Sequence, residues 1–291
     1  MMSVEAWHEG GRLVRIQGRR IFVRDSGGER QAPVLVLIHG FPTASWDWAP
    51  VWEDLARRFR LVAMDLLGFG FSDKPAAHDY TIAGQADLVE AVLADAGVGQ
   101  HHVLAHDYGD TVAQELLARD NARPAPRILS VTLLNGGLFP ETHRARLIQR
   151  LLLTPAGPLI CRLFNRRAFE RSMRAIFGPE TPPGREELEG FWRLICEQDG
   201  QRIMHRLIRY IPERRDHRER WVGALQQARC PLALINGSAD PISGAHMVAR
   251  WREVVGRGTV VELPGIGHYP QVEAPQQVLA HFHAFQAGIG A

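Results

Sequence analysis

The chain has 291 residues, of which 45% are hydrophobic, and a formal net charge of +2 at pH 7. This composition supports a sizeable buried core and excludes an intrinsically disordered chain. Because the charge is nearly balanced, nothing in it indicates a nucleic-acid partner. The three cysteines are widely spaced and show no CxxC pattern, which argues against a disulfide framework or a zinc site.

The N-terminal segment lacks the apolar run of a signal peptide, and no stretch approaches the ~20 apolar residues that cross a membrane. Unpaired cysteines fit a reducing compartment. We therefore expect a cytoplasmic protein, monomeric or homodimeric, with no cofactor, no metal and no membrane partner.

Taken in chain order, the pattern first predicts a β-hairpin over residues 12–27, where alternating residues flank a glycine turn. Continuous apolar runs then alternate with helical patterns, which predicts a mostly parallel sheet with helices on both faces. The predicted strands are PVLVLIHG, RLVAMDLLG, HHVLAH and ILSVTLLNGG. The predicted helices between them are ASWDWAPVWEDLARRF, TIAGQADLVEAVLADAG and DTVAQELLARD.

From residue 138 the chain loses its strand pattern and becomes an arginine-rich series of helical segments. Strand pattern returns in CPLALINGSAD and GTVVELPGIGH, each followed by a predicted helix. We therefore divide the chain into a first core part at 1–137, a helical cap at 138–222 and a second core part at 223–291.

Four short polar segments follow predicted strands, where functional residues gather in open α/β sheets. They are HGFP at 39–42, AHDYG at 105–109, GSADP at 237–241 and GHYP at 267–270. Asp107, Asp240 and His268 thus occur in the order nucleophile, acid, histidine, which is the triad order of α/β-hydrolases.

Asp107 occupies the centre of a small-x-nucleophile-x-small pattern, flanked by Ala105 and Gly109, between a strand and a helix. This is the pattern of a nucleophile elbow, whose strained backbone tolerates only small neighbours. The alternative is that Asp107 merely caps the following helix. Asp110 would serve as a cap equally well, so we favour the elbow.

The other triad positions have structural alternatives. Asp240 precedes a proline and could belong to a turn, but the competing loop after ILSVTLLN offers Asn135 and no carboxylate. His106 could rival His268 as the base, although we expect it to line the site or pack behind the elbow. The backbone N–H groups of Phe41 and Tyr108 are the expected oxyanion hole, with His39 beside them.

These residues resemble the epoxide hydrolase and haloalkane dehalogenase branch of the α/β-hydrolase fold, and more narrowly the mesoderm-specific transcript protein group. The motifs that carry the resemblance lie between about residues 34 and 275; they are HGFP, DLLGFGFSDKP, HDYGDTVAQELL, NGGLFPETHR, RWVGAL and GHYPQVEAP. The resemblance implies an inserted helical cap, Asp107 as nucleophile, His268 as base and Asp240 as its partner.

An aspartate nucleophile has a chemical consequence. A carboxylate that attacks acyl carbon gives a poor anhydride intermediate, whereas attack on a saturated carbon gives an alkyl ester. We therefore expect a hydrolase that takes a small hydrophobic substrate and water, forms an ester on Asp107 and cleaves it with water activated by His268.

The leaving group remains open at this stage. Epoxide opening needs a proton donor, for which the family uses cap tyrosines, and Tyr210 is the one tyrosine of the predicted cap. Halide departure needs N–H donors such as tryptophan. Further residues expected to line the substrate site are Trp46, Trp192 and Tyr269. We favour epoxide hydrolysis, with dehalogenation second and a non-catalytic scaffold on the same fold third.

Overall fold

The structure is a computed structural model that describes residues 2–28 and 32–289. Its centre is a sheet of eight strands in the order β1-β2-β4-β3-β5-β6-β7-β8. The strands β1 and β2 form the predicted antiparallel hairpin, β2 also pairs antiparallel with β4, and all remaining pairs are parallel. The strands are Arg12–Ile16, Arg19–Asp25, Val34–Ile38, Arg60–Met64, His101–His106, Ile128–Leu134, Leu232–Gly237 and Thr259–Leu263.

Helices cover the sheet and fill the segment between β6 and β7. The helices α1 to α14 are Val4–Glu9, Ala49–Leu55, Ile82–Asp95, Tyr108–Asn121, Leu147–Leu152, Gly157–Leu163, Arg166–Arg174, Arg185–Cys196, Met204–Leu207, Tyr210–Asp216, Arg218–Gln226, Ala245–Val254, Pro270–Glu273 and Pro275–Ile289. Two 3₁₀ turns, Ser45–Trp48 and Glu197–Ile203, complete the set. Within the residues that the structure describes, no helix is long and apolar enough to cross a membrane.

The strand β5 lies at the centre of the sheet, between β3 and β6. Every residue of β5 is buried, as expected for a strand covered by helices on both faces. All strands from β3 to β8 are parallel, so their carboxyl ends meet at one edge. The four polar segments singled out in the sequence therefore emerge together there.

The segment from residue 135 to residue 231 contains helices and no strand, and it includes residues 138–222, where the sequence predicted helices. It holds α5 to α11 and interrupts the sheet between β6 and β7. The exact boundaries of a cap at residues 138 and 222 stay a prediction. The short helix α1, by contrast, was not predicted; Ser3 caps it and Trp7 anchors it in the core.

The close packing of α4 on β3 requires a glycine at residue 109. A Cβ added there would collide with the carbonyl oxygen of Ile38 and would lie 2.7 Å from that of His39. We expect Gly109→Ala to lower the free energy of unfolding in urea by about 1–3 kcal/mol, the usual cost of overpacking. Gly99→Ala is the control, because a Cβ there meets nothing, and its effect should stay within about 0.5 kcal/mol. Equal effects of the two substitutions would contradict this account.

Candidate active site

The turn between β5 and α4 holds Asp107 in a conformation that L-residues rarely adopt, with φ 47° and ψ −104°. Asp107 stands at the N-cap position of α4, but its side chain makes no capping hydrogen bond. Asp110, which the sequence offered as an alternative cap, lies inside the first turn of α4. The carboxylate of Asp107 is therefore free for another purpose, and it is 2% exposed.

The two carboxylate oxygens of Asp107 have different surroundings. Oδ2 accepts a hydrogen bond of 3.1 Å from the backbone N–H of Phe41. Oδ1 lies 3.9 Å from Nε2 of His268 and 3.9 Å from Nη2 of Arg214. One oxygen is thus held by the loop after β3, and the other faces two potential cations.

His268 follows β8, and Asp240 follows β7, as the sequence predicted. Nδ1 of His268 lies 2.7 Å from Oδ2 of Asp240, and both side chains are buried. Burial lowers the pKa of His268, but the carboxylates of Asp240 and Asp107 outweigh it and raise that pKa to about 9. Burial raises the pKa of Asp240, but His268 and hydrogen-bond donors reverse this and lower it to about 2. The pair is therefore an ion pair at neutral pH.

Asp240 is fixed by four further donors. Oδ1 accepts from the backbone N–H of Ile242 at 2.8 Å, and Oδ2 accepts from the N–H and the hydroxyl of Ser243. Oδ2 also accepts from the side-chain amide of Asn135 at 3.0 Å. The loop after β6 thus supplies, through Asn135, an amide that orients the carboxylate of the loop after β7.

Two histidines near Asp107 form hydrogen bonds to the backbone, through both ring nitrogens in His39 and through Nε2 alone in His106. Nε2 of His106 lies 2.7 Å from the carbonyl oxygen of His268 and donates to it. Burial, with a contribution from His268, lowers the pKa of His106 to about 3, so its ring is neutral. Nε2 of His39 accepts from the N–H of Leu66, and its Nδ1 donates to the carbonyl oxygen of Gly40. Both rings brace loops of the site.

The three tyrosines singled out in the sequence pack against aromatic residues that are next to Asp107 or include His268. Tyr210, from α10, lies with its ring edge-on to Tyr108 at 4.8 Å and 6.1 Å from the ring of Phe41. Its hydroxyl is buried and has no partner among the described residues. The hydroxyl of Tyr269 lies 3.3 Å from Oγ1 of Thr43, so it is already engaged.

The two predicted tryptophans lie away from Asp107. The indole N–H of Trp46 donates to the carbonyl oxygen of Met2, and its ring packs on Phe191. Trp192 packs against Phe164 and Phe169 within the helices between β6 and β7. Among the described residues, neither indole forms a hydrogen bond or a ring contact with Asp107, Asp240 or His268.

Two residues that the sequence did not single out belong to the site. Arg214, on α10, is buried and donates from Nε to Thr111 Oγ1 at 2.7 Å and from Nη2 to the carbonyl oxygen of Asp107 at 3.2 Å. His143 has both ring nitrogens buried without a partner in the described part of the chain. Burial, then Arg214, lowers the pKa of His143 to about 3. His143 lies in the NGGLFPETHR motif, which gave it no role, and Arg214 lies outside the motifs in a segment crowded with arginines.

Glu273 lies in the GHYPQVEAP motif, but the sequence gave it no role in the site. Its Oε1 accepts from the N–H of Tyr269, and its Oε2 accepts from the N–H groups of Gly267 and Gly178. The backbone N–H of His268 in turn donates to the carbonyl oxygen of Ile176 at 2.8 Å. The loop that carries His268 is thus bound to the segment between α7 and α8.

The sheet order, the elbow and the loop positions together define an α/β-hydrolase. The family described as alpha/beta hydrolase fold matches residues 33–275, and the chain belongs to this family. It is 42% identical to the mesoderm-specific transcript protein of Mus musculus over 293 residues. The aligned region covers 97% of this chain and 88% of that protein. It is also 42% identical over 275 residues to LipZ of Mycobacterium tuberculosis, with 94% of each chain covered.

A solved structure shows the same architecture. A loop variant of the haloalkane dehalogenase DbeA from Bradyrhizobium elkanii superposes with a TM-score of 0.81, covering 96% of this chain and 97% of that one at 22% identity. At this identity the likeness shows a shared fold. The α/β-hydrolase fold and the resemblance to the mesoderm-specific transcript group, both predicted from the sequence, are therefore confirmed.

We expect the His268 ring to titrate near pH 9 in the free protein and at lower pH in Asp107→Asn and Asp240→Asn, because each substitution removes a carboxylate that favours the imidazolium. The measurement is a pH series of ¹H–¹⁵N NMR spectra of the histidine side chains. Asp54→Asn is the control, since that carboxylate contacts His283. An unchanged His268 titration in Asp240→Asn would refute the ion pair.

The same pKa shift is linked to stability. Because the folded-state pKa of His268 lies above the unfolded value, the ion pair stabilises the fold fully below the unfolded pKa, about 6.5. This contribution should disappear as the pH rises through about 9.

Proposed function

We propose that the protein is a hydrolase that attacks a saturated carbon through Asp107, forms a covalent alkyl ester and cleaves it with water activated by His268. The observation that carries this proposal is the placement of the Asp107 carboxylate. One oxygen accepts the Phe41 N–H, and the other faces Nε2 of His268 across 3.9 Å. This is the placement that an ester-forming carboxylate needs, because its carbonyl oxygen is already in a hydrogen-bonding site.

The first step is attack by Oδ1 of Asp107 on an epoxide carbon. A carbon–oxygen bond to Asp107 forms, the ring carbon–oxygen bond breaks, and the resulting alkoxide takes a proton from the Tyr210 hydroxyl. Burial raises the pKa of Tyr210 well above its usual value, so the hydroxyl is present as a donor at neutral pH. The proton that His268 releases in the next step returns Tyr210 to its neutral form.

Ester formation changes the charge beside His268. The negative charge of Asp107 is one of the groups that raise the pKa of His268, and the ester removes it. The pKa of His268 therefore falls, the ring loses its proton, and Nε2 becomes a base. Alkylation of the nucleophile thus switches the histidine into the form that the second step requires.

In the second step, water attacks the ester carbonyl carbon of Asp107 while Nε2 of His268 takes its proton. The N–H groups of Phe41 and Tyr108 stabilise the developing oxyanion, each typically by ~3 kcal/mol. Collapse of the tetrahedral intermediate releases the diol and restores the carboxylate and the imidazolium. The sum is epoxide plus water giving a diol.

The hydrogen-bond donors support an epoxide over a halide. The Tyr210 hydroxyl is buried beside the nucleophile and unpartnered within the described residues. The indole N–H of Trp46 donates to the carbonyl oxygen of Met2, and that of Trp221 donates to Glu115 at 2.8 Å. The indole N–H of Trp48 is buried without a partner among the described residues, which keeps dehalogenation as the second candidate. Epoxide hydrolysis is therefore the first candidate and dehalogenation the second.

The segment at 138–222 serves in this proposal as a cap that closes the site. Its helix α10 places Tyr210 and Arg214 over the nucleophile, and both side chains are buried. Water exclusion of this kind strengthens each electrostatic interaction in the site. Trp192 lies among helices of this cap and is assigned to its packing.

Replacing His268 by Gln should trap the ester, because the first step needs the carboxylate whereas the second needs the base. We expect the intact mass of His268→Gln to rise by the mass of a whole epoxide after incubation with an epoxide mixture. With haloalkanes, a dehalogenase would gain an alkyl group and release halide.

The matched control is the double variant Asp107→Asn, His268→Gln, which should gain no mass. An adduct on this double variant would show that a residue other than Asp107 is the nucleophile. Absence of any adduct on the single variant would contradict the proposed hydrolase and favour a non-catalytic scaffold.

Tyr210→Phe should slow epoxide opening by about 10²-fold, because it removes the proposed proton donor while preserving the ring packing. The rate is measured as adduct formation on the His268→Gln background. Tyr80→Phe is the control, since its hydroxyl donates to the carbonyl oxygen of Pro75, in a loop outside the site. An unchanged opening rate in Tyr210→Phe would remove this tyrosine from the mechanism.

A further inference from the structure

Arg214 holds a buried positive charge beside the nucleophile, and its contacts leave one nitrogen free. The side chain is 2% exposed, and its guanidinium lies 4.5 Å from the centre of the Tyr210 ring. Nε donates to Thr111 and Nη2 to the carbonyl oxygen of Asp107, whereas Nη1 has no partner in the part of the chain that the structure describes. A buried guanidinium with an unused donor is rare, because desolvation without a hydrogen bond is costly.

The charge of Arg214 is compensated before the reaction but not during it. Asp107 is the carboxylate within 4.0 Å of Arg214 in the described structure. Asp110 is also nearby in the chain, but burial, then the charge of Asp107, raises its pKa well above its usual value and favours its neutral form. Once Asp107 becomes an ester, Arg214 is left as an uncompensated buried cation.

The free nitrogen of Arg214 lies near a second polar group without a partner among the described residues. A Cβ added to Gly137 would meet Nη1 of Arg214 and would lie 2.9 Å from Nδ1 of His143. Both nitrogens therefore lie close to the Cα of Gly137, and a side chain at residue 137 would displace them. Neutral His143 supplies one N–H donor next to the guanidinium.

The position of Arg214 relative to the reacting oxygen indicates what it would bind. Oδ2 of Asp107 accepts the Phe41 N–H, which leaves Oδ1 as the attacking oxygen. A leaving group departs on the side of the carbon opposite the attacking oxygen, whereas Nη2 of Arg214 lies 3.9 Å from that oxygen itself. Arg214 is thus placed to meet a substituent that flanks the reacting carbon.

We propose that Arg214 and His143 form a carboxylate-binding subsite, and that the substrate is a small epoxide bearing a carboxylate next to the reacting carbon. This inference rests on the proposed function for the chemistry, but the subsite stands on the geometry alone. The substrate carboxylate would accept from Nη1 of Arg214 and from the His143 ring, and it would replace the charge that Asp107 loses on alkylation.

The first test measures binding without chemistry. Asp107→Asn reproduces the charge of the esterified site, and cyclopropanecarboxylate is an unreactive analogue with a neutral isostere, cyclopropanecarboxamide. We expect isothermal titration calorimetry to give about 10- to 100-fold tighter binding of the carboxylate, the worth of a charge-assisted hydrogen bond. Equal affinities, or no binding of either compound, would overturn the subsite.

Matched variants on the Asp107→Asn background show whether Arg214 causes the preference for the carboxylate over the carboxamide. Arg214→Met should abolish the preference for the carboxylate, and Arg214→Lys should retain part of it. Arg215→Met removes the adjacent, exposed arginine of the same helix and should leave the preference unchanged. Circular dichroism and the midpoint of thermal unfolding check that each variant folds. A preference that survives in a folded Arg214→Met would refute the role of Arg214.

The second test separates the subsite from the reaction. On His268→Gln, oxirane-2-carboxylate should form an adduct about 10- to 100-fold faster than oxirane-2-carboxamide, and Arg214→Met should reduce the two rates to similar values. Carboxylate binding in the first test without any adduct in the second would refute the hydrolase and keep the subsite. Equal adduct rates from the two epoxides on His268→Gln would keep the hydrolase and refute the subsite.

Discussion

The site depends on compensating one buried carboxylate. Asp107 is almost completely removed from solvent, and an unpaired carboxylate in that position would cost several kcal/mol. Three groups stabilise this carboxylate, namely the N–H of Phe41, the ring of His268 and the guanidinium of Arg214. Because these groups follow different strands or lie in the helical insertion, the nucleophile is stabilised when the whole fold is assembled.

The same dependence explains the hydrogen bonds around His268. Asn135 and Ser243 fix Asp240, and Glu273 fixes the backbone on both sides of His268. Glu273 also accepts from Gly178, so the helical insertion and the His268 loop share one carboxylate. A displacement of the insertion would therefore also shift the loop that carries His268, although the two segments are distant in sequence.

The sequence was sufficient for the parts of the site that follow strands. Asp107, Asp240 and His268 could be placed because parallel strands end at one edge and the elbow requires small flanking residues. The roles of His39 and Trp46 could not be read in the same way, since only the structure shows that the Leu66 N–H and the Met2 carbonyl oxygen engage their ring nitrogens. A residue type predicts what a side chain can bind, but not whether a neighbour already occupies it.

Arg214 and His143 escaped prediction for a related physical reason. Arg214 lies in a helix and His143 in a loop. The periodicity of a helix indicates its apolar face, but it does not predict how the helix packs on the sheet. In a segment with many arginines, burial is what distinguishes Arg214, and burial is a property of packing. Asn135 was noticed in the sequence as the absence of an acid, whereas its amide turned out to orient Asp240.

The positive φ of Asp107 has a consequence for how the protein would fail on heating. A non-glycine residue in this conformation costs of order 1–3 kcal/mol and persists because the surrounding β5, α4 and β3 leave it no alternative. A modest loosening of that packing would let the turn relax while the sheet is still intact. The carboxylate would then leave the Phe41 N–H, so the arrangement of Asp107, Phe41 and His268 should disappear at a lower temperature than the fold itself.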